Sequence, residues 1–398
     1  MRPLIPLLFL PVLVTAAELS LDDSLRLALE RHPDVLSADA GLRLRLAQVL
    51  AEEQRSAPRL EGEVKDIGRE GGVEFRLMQP LRKGDFGLRE HYAAAERAAA
   101  QAESKARLIG VLNETFQAHV VLWAAQSTLA TALSRETESA ALLARARLAL
   151  ADGLLSSADF AATQADYQVA VAERAAAEAS KLEAAASLAR RIGSSELPMV
   201  ALPRLAVLPA SADLLVEFAL QRSEVRAALD AREIAARRRR SVAYAESDTP
   251  IEFGILAEQR ADGESWGVGI GFSMDLPVPG RRRAAAAVAE AELRAIRAHP
   301  LLSRPDSVAA EVRTRLAAAR AVASAVDAHE LAVATCTLTA EVSARAMNEG
   351  LVSLTEHAHV LSRLDEARRR QLELRLESFR ARSRLEEVLG GRIEQALP

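Results

Sequence analysis

The sequence has little cysteine, few aromatic residues and no long apolar run after its first residues. Cys336 is the single cysteine and aromatic residues make up 4% of the 398 positions. One cysteine excludes a disulfide framework and a cysteine-based metal site. The formal net charge of -4 gives no basis for nucleic acid as the main partner. After residue 17, no segment approaches the ~20 apolar residues of a transmembrane helix.

Motifs for catalysis are missing as well. The chain contains no P-loop, no Gly-x-Ser-x-Gly and no His-Glu-x-x-His pattern. Its seven histidines are scattered, and His357 and His359 are two positions apart, which places them on different faces of a helix. We therefore expect no enzyme, no catalytic residue, no cofactor and no metal site. The abundant residues are Ala, Leu, Arg and Glu, which are typical of long helices packed through small side chains.

Residues 1–17 have the pattern of a secretory signal peptide. An apolar run extends from Leu4 to Val14, and the small residues Thr15, Ala16 and Ala17 follow it. Three prolines among the first eleven residues disfavour the alternatives of a buried helix or a membrane anchor. The segment predicts export, with cleavage near Ala16 or Ala17.

The rest of the chain has the pattern of a tandem duplication. Ala28-Leu29 corresponds to Ala219-Leu220, Pro80 to Pro277, and DGLLSSADF around Gly153 to EGLVSLTEH around Gly350. Three landmarks in one order at a similar spacing indicate an internal repeat. We place the first repeat at 18–197, a linker at 198–210 and the second repeat at 211–398.

Each repeat is predicted to contain two short helices, a β-hairpin and two long helices. Ser20 is the expected N-cap of the first helix, with Asp23 as its acidic partner. In the first repeat the strands are predicted over about 58–67 and 71–79, and the long helices over about 87–151 and 157–191. In the second repeat the strands are predicted over about 249–260 and 265–276, and the long helices over about 281–347 and 354–389. Pro300 and Pro305 fall inside the helix at 281–347 and predict an insertion, a bulge or a division there.

The strands alternate between apolar residues and polar or small ones. This is the pattern of a membrane strand, with its apolar face toward lipid. The predicted lipid-facing residues are Val73, Phe75, Leu77, Trp266, Val268, Ile270, Phe272 and Met274. Two hairpins cannot close a barrel, but three chains would supply twelve strands. A small soluble sheet packed on the helices is the alternative at this point.

Four segments resemble the TolC-type outer-membrane efflux proteins, and the resemblance covers essentially the whole mature chain. They are LSLDDSLRLALERHPDV at 19–35, the strand-to-helix switch GFSMDLPVPGRRRAAAAVAEAEL at 271–293, and the pair DGLLSSADF and EGLVSLTEH. The resemblance implies a mainly α fold with a small β part. Long antiparallel helical hairpins would form an α-barrel, and four strands per chain would contribute to a trimeric twelve-stranded outer-membrane β-barrel.

The resemblance also implies a location and partners. It predicts a homotrimer in the outer membrane of a Gram-negative bacterium, with a large periplasmic part and outer-membrane lipid around its barrel. The partners would be a periplasmic adaptor (membrane fusion) protein and an inner-membrane pump of the RND type. The function would be a passive exit duct of a tripartite pump for small toxic solutes or metal cations. The alternatives are a soluble periplasmic coiled-coil scaffold and the outer-membrane channel of a type I protein secretion system.

The two helical reversals are the predicted functional sites. By resemblance, the adaptor would contact Gly153, Leu154, Ser156, Gly350, Leu351 and Ser353. The candidate pore-gate residues are Asp152, Asp159, Glu349 and Glu356, because carboxylates repeated in a trimer form rings that favour cations. The same residues also suit a plain helical reversal, since Gly and Ser cap helices and acidic groups favour helix N-termini.

Overall fold

A computed structural model describes residues 18–54, 57–65, 72–81, 86–204, 207–246, 251–259, 265–274 and 279–396. The predicted signal peptide at 1–17 lies outside these residues. The same holds for the ends of the predicted strands at 66–67, 71, 249–250, 260 and 275–276. Among the described helices, none is both long and apolar enough to cross a lipid bilayer.

The same order of elements occurs twice along the chain. First come helices α1 (Leu21–Arg31) and α2 (Pro33–Glu53), strands β1 (Arg59–Lys65) and β2 (Gly72–Leu81), and helices α3 (Leu88–Ala151) and α4 (Ser157–Ile192). The second series begins with α5 (Asp213–Glu217), a π-helical turn (Phe218–Arg222), α6 (Glu224–Glu246), β3 (Ile251–Gln259) and β4 (Trp266–Met274). It ends with α7 (Pro279–Arg297), α8 (Pro300–Ser303), α9 (Pro305–Asn348), α10 (Leu354–Leu389) and α11 (Ile393–Ala396).

Helix α1 begins where the sequence predicts. The Ser20 Oγ accepts a hydrogen bond from the backbone N–H of Asp23 at 3.1 Å, and the Ser20 hydroxyl donates to the Asp23 carboxylate at 2.7 Å. Ser20 satisfies a backbone donor that the first turn leaves without a helical partner. The prediction of Ser20 as N-cap is confirmed.

The helix predicted over 281–347 is divided at the two prolines, which is one of the three outcomes that the sequence left open there. Helix α7 ends at Arg297, Pro300 begins α8 and Pro305 begins α9. A proline lacks the N–H of an interior helical hydrogen bond but fits the first helical position. His299 assists the restart, since its Nδ1 accepts from the backbone N–H of Leu301 at 3.3 Å.

The chain divides into two compact units, and each draws on both repeats. The tip unit contains the described parts of 18–35, 110–209 and 314–387, and the sheet unit contains those of 36–109, 210–313 and 388–396. The compact units therefore do not coincide with the sequence repeats, whose boundaries stay a prediction.

The core of the tip unit lies where α1, α3, α4 and α10 meet. Leu122 and Leu188 are fully buried there, and the ring of Phe379 makes edge-on contacts with Trp123 and Phe116 at centroid distances of 5.7 and 6.3 Å. Edge-to-face geometry at these distances stabilises an aromatic cluster beyond its buried area. Three of the fourteen aromatic residues of the chain thus meet at one packing centre of this unit.

His119 links three segments of the tip unit. Its side chain is completely buried, its Nε2–H donates to the carbonyl of Ala201 at 3.1 Å, and its Nδ1 then accepts from the Ser24 hydroxyl at 2.9 Å. Burial lowers the pKa of His119, although the hydrogen bond to Ala201 acts in the opposite direction. The imidazole is therefore a neutral connector of α1, α3 and the segment after α4.

Replacing His119 by leucine is expected to lower the free energy of unfolding by about 1–3 kcal/mol. The change removes this partner from the buried Ser24 hydroxyl and from the partly buried Ala201 carbonyl. A urea titration of the purified protein measures the loss. His91→Leu, at an exposed histidine of α3, is the control and should change the midpoint little. Equal midpoints for the two variants would contradict the connector role.

Candidate functional site

The four strands form one antiparallel sheet in the order β1-β2-β3-β4. The sequence predicts the hairpins β1–β2 and β3–β4, and the structure adds the pairing of β2 with β3. Leu60 pairs with Leu77, Leu77 with Ile255 and Ile255 with Ile270, so one row of the sheet is apolar across all four strands. Directly paired residues of antiparallel strands lie on the same face. The register therefore aligns the apolar faces of both hairpins.

This apolar face is exposed. Ile270, Phe272 and Val268 are 89%, 79% and 77% exposed, respectively. The face also contains Leu60, Phe75, Leu77, Leu81, Ile251, Phe253, Ile255, Trp266 and Met274, all exposed, and the half-buried Val73. The Phe75 and Trp266 rings stack on it with centroids 6.4 Å apart. All eight predicted lipid-facing residues thus share one face. An exposed apolar patch of this size is rare on a protein surface that faces water.

The opposite face is mostly small or charged, and Met78, Pro80 and Leu256 are its larger apolar members. Its residues include Glu61, Glu63, Glu74, Arg76, Glu252, Gly254, Glu258, Gly267, Gly269, Gly271 and Ser273. Arg76 pairs with Glu74 and, at 3.5 Å, with Glu63. A side chain at Gly254 would collide with Met78, so this position needs glycine for the close approach. The sheet is therefore amphipathic, with small and acidic groups behind the apolar face.

Tip 1, residues 148–160, reverses the chain between α3 and α4. Gly153 has φ of 70°, a left-handed conformation that favours glycine. The backbone N–H of Leu154 donates to the carbonyl of Ala149 at 2.8 Å, which closes the end of α3. The Ser156 Oγ then accepts from the N–H of Asp159 at 3.1 Å and caps α4.

Tip 2, residues 345–357, repeats this geometry between α9 and α10. Gly350 has φ of 75°, and the N–H of Leu351 donates to the carbonyl of Ala346 at 2.8 Å. The Ser353 Oγ accepts from the N–H of Glu356 at 3.2 Å, and the Glu356 carboxylate accepts from the N–H of Ser353 at 2.9 Å. This reciprocal pair is a capping box.

Both tips expose a leucine that the reversal itself does not use. Leu154 is 80% exposed and Leu351 is 75% exposed. Gly153, Ser156, Gly350 and Ser353 have a structural role in the turn, whereas the two leucine side chains extend from it. The leucines are therefore the tip residues that offer apolar area to a partner.

The four acidic residues of the tips have two different environments. Asp159 and Glu356 belong to the caps, and hydrogen bonds from the backbone and hydroxyl of Ser353 lower the pKa of Glu356. Asp152 and Glu349 lie at the ends of the preceding helices and are exposed. The capping role accounts for Asp159 and Glu356, while the gate role of all four residues stays a prediction.

A charged cluster between α3, α4 and α10 was missed by the sequence reasoning. The Glu173 carboxylate accepts hydrogen bonds from Arg135 at 2.5 Å and from Arg369 at 2.8 Å, and Arg135 is 3.6 Å from Asp365. Burial raises the pKa of Asp365, and the nearby Glu138 raises it further. No local pattern connects residues 173 and 369, so only the folded chain brings them together.

Metal-binding groups are not assembled in the described part of the chain. Within it, no cluster of three or more His, Cys, Asp or Glu side chains has the geometry to hold an ion.

Comparison with known proteins identifies the fold. No family model and no curated protein matches the sequence. Among solved structures, the chain is similar to CusC, whose crystal structures concern folding and transmembrane channel formation. The TM-score is 0.75 at 18% identity, and the match covers 94% of this chain and 93% of CusC. The outer membrane protein VceC of Vibrio cholerae has a TM-score of 0.72 at 17% identity, covering 94% and 96%. The CmeC outer membrane channel of Campylobacter jejuni has a TM-score of 0.75 at 14% identity, covering 93% and 85%.

The chain has the TolC-type fold. The resemblance predicted from the sequence is thereby confirmed at the level of the fold, including the mainly α architecture and the small four-stranded sheet. At 14–18% identity the likeness shows the fold alone. Within the TolC-type fold, the apolar sheet face and the two tips are the candidate functional surfaces.

Proposed function

We propose that the protein is the outer-membrane channel of a tripartite efflux pump and acts as a passive exit duct. The exposed apolar face that runs across all four strands is the observation that carries the proposal. On a soluble scaffold such a face would promote aggregation in water. The face is therefore proposed to contact outer-membrane lipid, and the structural neighbours named as outer membrane channels support this location.

The proposed assembly is a homotrimer, and the open edges of the sheet support it. Within one chain the sheet has two edges, β1 and β4, and open edges cannot face lipid because each backbone polar group there needs a partner. Three chains would join β4 of one subunit to β1 of the next and close a barrel of twelve strands. The apolar face would then face lipid, and the acidic and glycine-rich face would line the lumen.

The tips are the proposed docking sites for a periplasmic adaptor protein. Each combines a rigid glycine reversal, a capped helix start and an exposed leucine, so the apolar group is presented without a large ordering cost. An inner-membrane pump of the RND type would supply the energy, since the sequence contains no nucleotide-binding motif.

The cargo is proposed to be small toxic solutes or metal cations. Carboxylates outnumber the bases Arg59 and Arg76 on the described part of the proposed lumen face, where they are Glu61, Glu63, Glu74, Glu252 and Glu258. Asp152 and Glu349 are exposed at the tips. Fixed negative charge along a pore attracts cations and repels anions. Cationic cargo therefore suits this duct better than anionic cargo.

Location and oligomeric mass test the channel. Membranes are fractionated, the protein is extracted in detergent, and its mass is determined by light scattering. A trimer in the outer-membrane fraction is expected. A soluble periplasmic monomer or dimer would overturn the proposal.

Replacing both tip leucines by aspartate is expected to abolish export while the trimer remains intact. Leu154→Asp with Leu351→Asp removes the exposed apolar groups and adds charge where an adaptor would dock. Growth of a complemented deletion strain on a panel of metal salts and amphiphilic toxins measures export. Val207→Asp, at an apolar linker residue that is 88% exposed, is the matched control and should export normally. Normal export by the double variant would contradict docking at the tips.

A further inference from the structure

One pair of side chains distinguishes the two tips. Ser343 and His357 are seven residues before and after Gly350, and Ala146 and Phe160 hold the same positions around Gly153. Ala146 is fully buried and Phe160 partly buried. Tip 1 thus forms the same reversal with an apolar pair, so the fold of a tip does not require a histidine.

His357 is built into the junction of α9 and α10. It lies on the first turn of α10 and is 6% exposed, and its Nδ1 is 3.0 Å from the Oγ of Ser343, which is 8% exposed. The hydrogen bond gives the Nδ1 of His357 and the hydroxyl of Ser343 a partner inside the junction. The pair therefore connects the two helices five residues before α9 ends.

The surroundings of His357 disfavour a positive charge. A cavity of about 380 Å³ lies beside it, with Glu138 and Arg145 from α3, Glu341 from α9 and Arg368 from α10 on its lining. Burial lowers the pKa of His357, Arg145 lowers it further, and Glu138 only partly compensates. Protonation would leave the hydrogen bond to Ser343 possible but would place a cation in a buried site that faces an arginine.

The difference between packed and exposed His357 sets the direction of the pH dependence. A histidine exposed by local opening titrates near its ordinary pKa of about 6.5, and the packed one titrates lower. Protons therefore bind the opened tip more strongly than the closed tip. The stability of the junction is complete above about pH 6.5 and is lost as the pH falls through that value toward the lower pKa of the packed state.

We propose that tip 2 is a pH-sensitive docking element in which protonation of His357 loosens the junction of α9 and α10 and displaces Leu351. Tip 1 contains no titratable group at the corresponding positions and keeps its geometry. The two tips of one chain thus respond differently to acid. The effect on adaptor binding rests on the proposed function, whereas the loosening itself does not.

Hydrogen exchange on the full-length protein in detergent tests the loosening. Protection of backbone amides in 340–360 is compared with that in 143–163 at pH 7.5 and pH 5.5, each corrected for chemical exchange. An opened histidine is about 90% protonated at pH 5.5, so protection of tip 2 relative to tip 1 is expected to fall by up to about tenfold. Using tip 1 of the same molecule as reference removes effects of pH on the whole protein.

Two variants isolate the histidine. Ser343→Ala with His357→Phe places the tip 1 pair into tip 2, and its relative protection is expected to be equal at both pH values. His359→Phe removes the exposed histidine two residues away and should retain the full response. An unchanged ratio in the wild-type protein, or a response that survives in the double variant, would overturn the proposal. The two proposals can fail independently. A trimeric channel whose tip 2 shows no pH response would contradict only the pH-sensitive junction, and a soluble protein whose tip 2 shows the response would contradict only the channel.

Discussion

Replacing Ile270 by arginine is expected to prevent assembly of the trimer in the outer membrane. Ile270 is 89% exposed at the centre of β4, in an apolar row with Ile255 and Leu77. An arginine on the lipid face of a membrane strand costs about 2–4 kcal/mol near the bilayer midplane, and a trimer contains three copies. The measurement is the fraction of protein recovered as trimer from the outer membrane.

Ser273→Arg is the matched control for this experiment. Ser273 is three residues further along the same strand and lies on the acidic face of the sheet, opposite to Ile270. An added cation there meets water and carboxylates, so assembly should be close to that of the wild-type protein. If Ile270→Arg assembled as well as Ser273→Arg, the apolar face would not contact lipid.

Replacing Arg232 by methionine is expected to cost about 2–3 kcal/mol of the free energy of unfolding, because it leaves a buried carboxylate with one cation instead of two. The Glu96 side chain is 8% exposed, and Arg232 and Arg45 donate to its Oε1 at 2.7 and 2.6 Å. Arg232 also bonds Glu292 at 2.8 Å. The change therefore affects the joint of α2, α3, α6 and α7 in the sheet unit.

The pH dependence of this loss has a defined sign. Burial of Glu96 opposes its ionisation, but the hydrogen bonds and charges of Arg45 and Arg232 outweigh it and hold the pKa below its usual value. The carboxylate therefore stabilises the fold above its ordinary pKa of about 4.5, and this contribution is lost as the pH falls through the lower folded-state value. The difference between wild type and Arg232→Met should accordingly shrink toward low pH.

Urea titrations in detergent at pH 7 and pH 4 measure both effects. Arg294→Met is the control, since Arg294 is 77% exposed and its pair with Glu290 at 3.0 Å lies on the surface. Adding Glu96→Gln to Arg232→Met should recover part of the stability, because the buried charge is removed. No recovery, together with an equal loss for Arg294→Met, would show that the cluster is not a stabilising joint.

The tips and the strand faces could be predicted because their signals are local. Gly153 and Gly350 adopt the left-handed conformation that a tight reversal needs, and Ser156 and Ser353 cap the helices that follow. The alternation of β4 depends only on the period of two along a strand. Pro300 and Pro305 also act locally, and their positions set the starts of α8 and α9, although the sequence left an insertion or a bulge open.

The sequence by itself determined the order of the helices and strands, the alternation of the strands and the geometry of the two tips, because each depends on residues within one or two turns. The pairing of β2 with β3, the convergence of Arg45 and Arg232 on Glu96, and the contact of Glu173 with Arg369 were decided by the tertiary structure. These partners are separated by about 50 to 200 positions. Several segments of similar composition could have supplied other partners, so the sequence does not specify which residues pair. Burial and charge select among them only when the chain is folded.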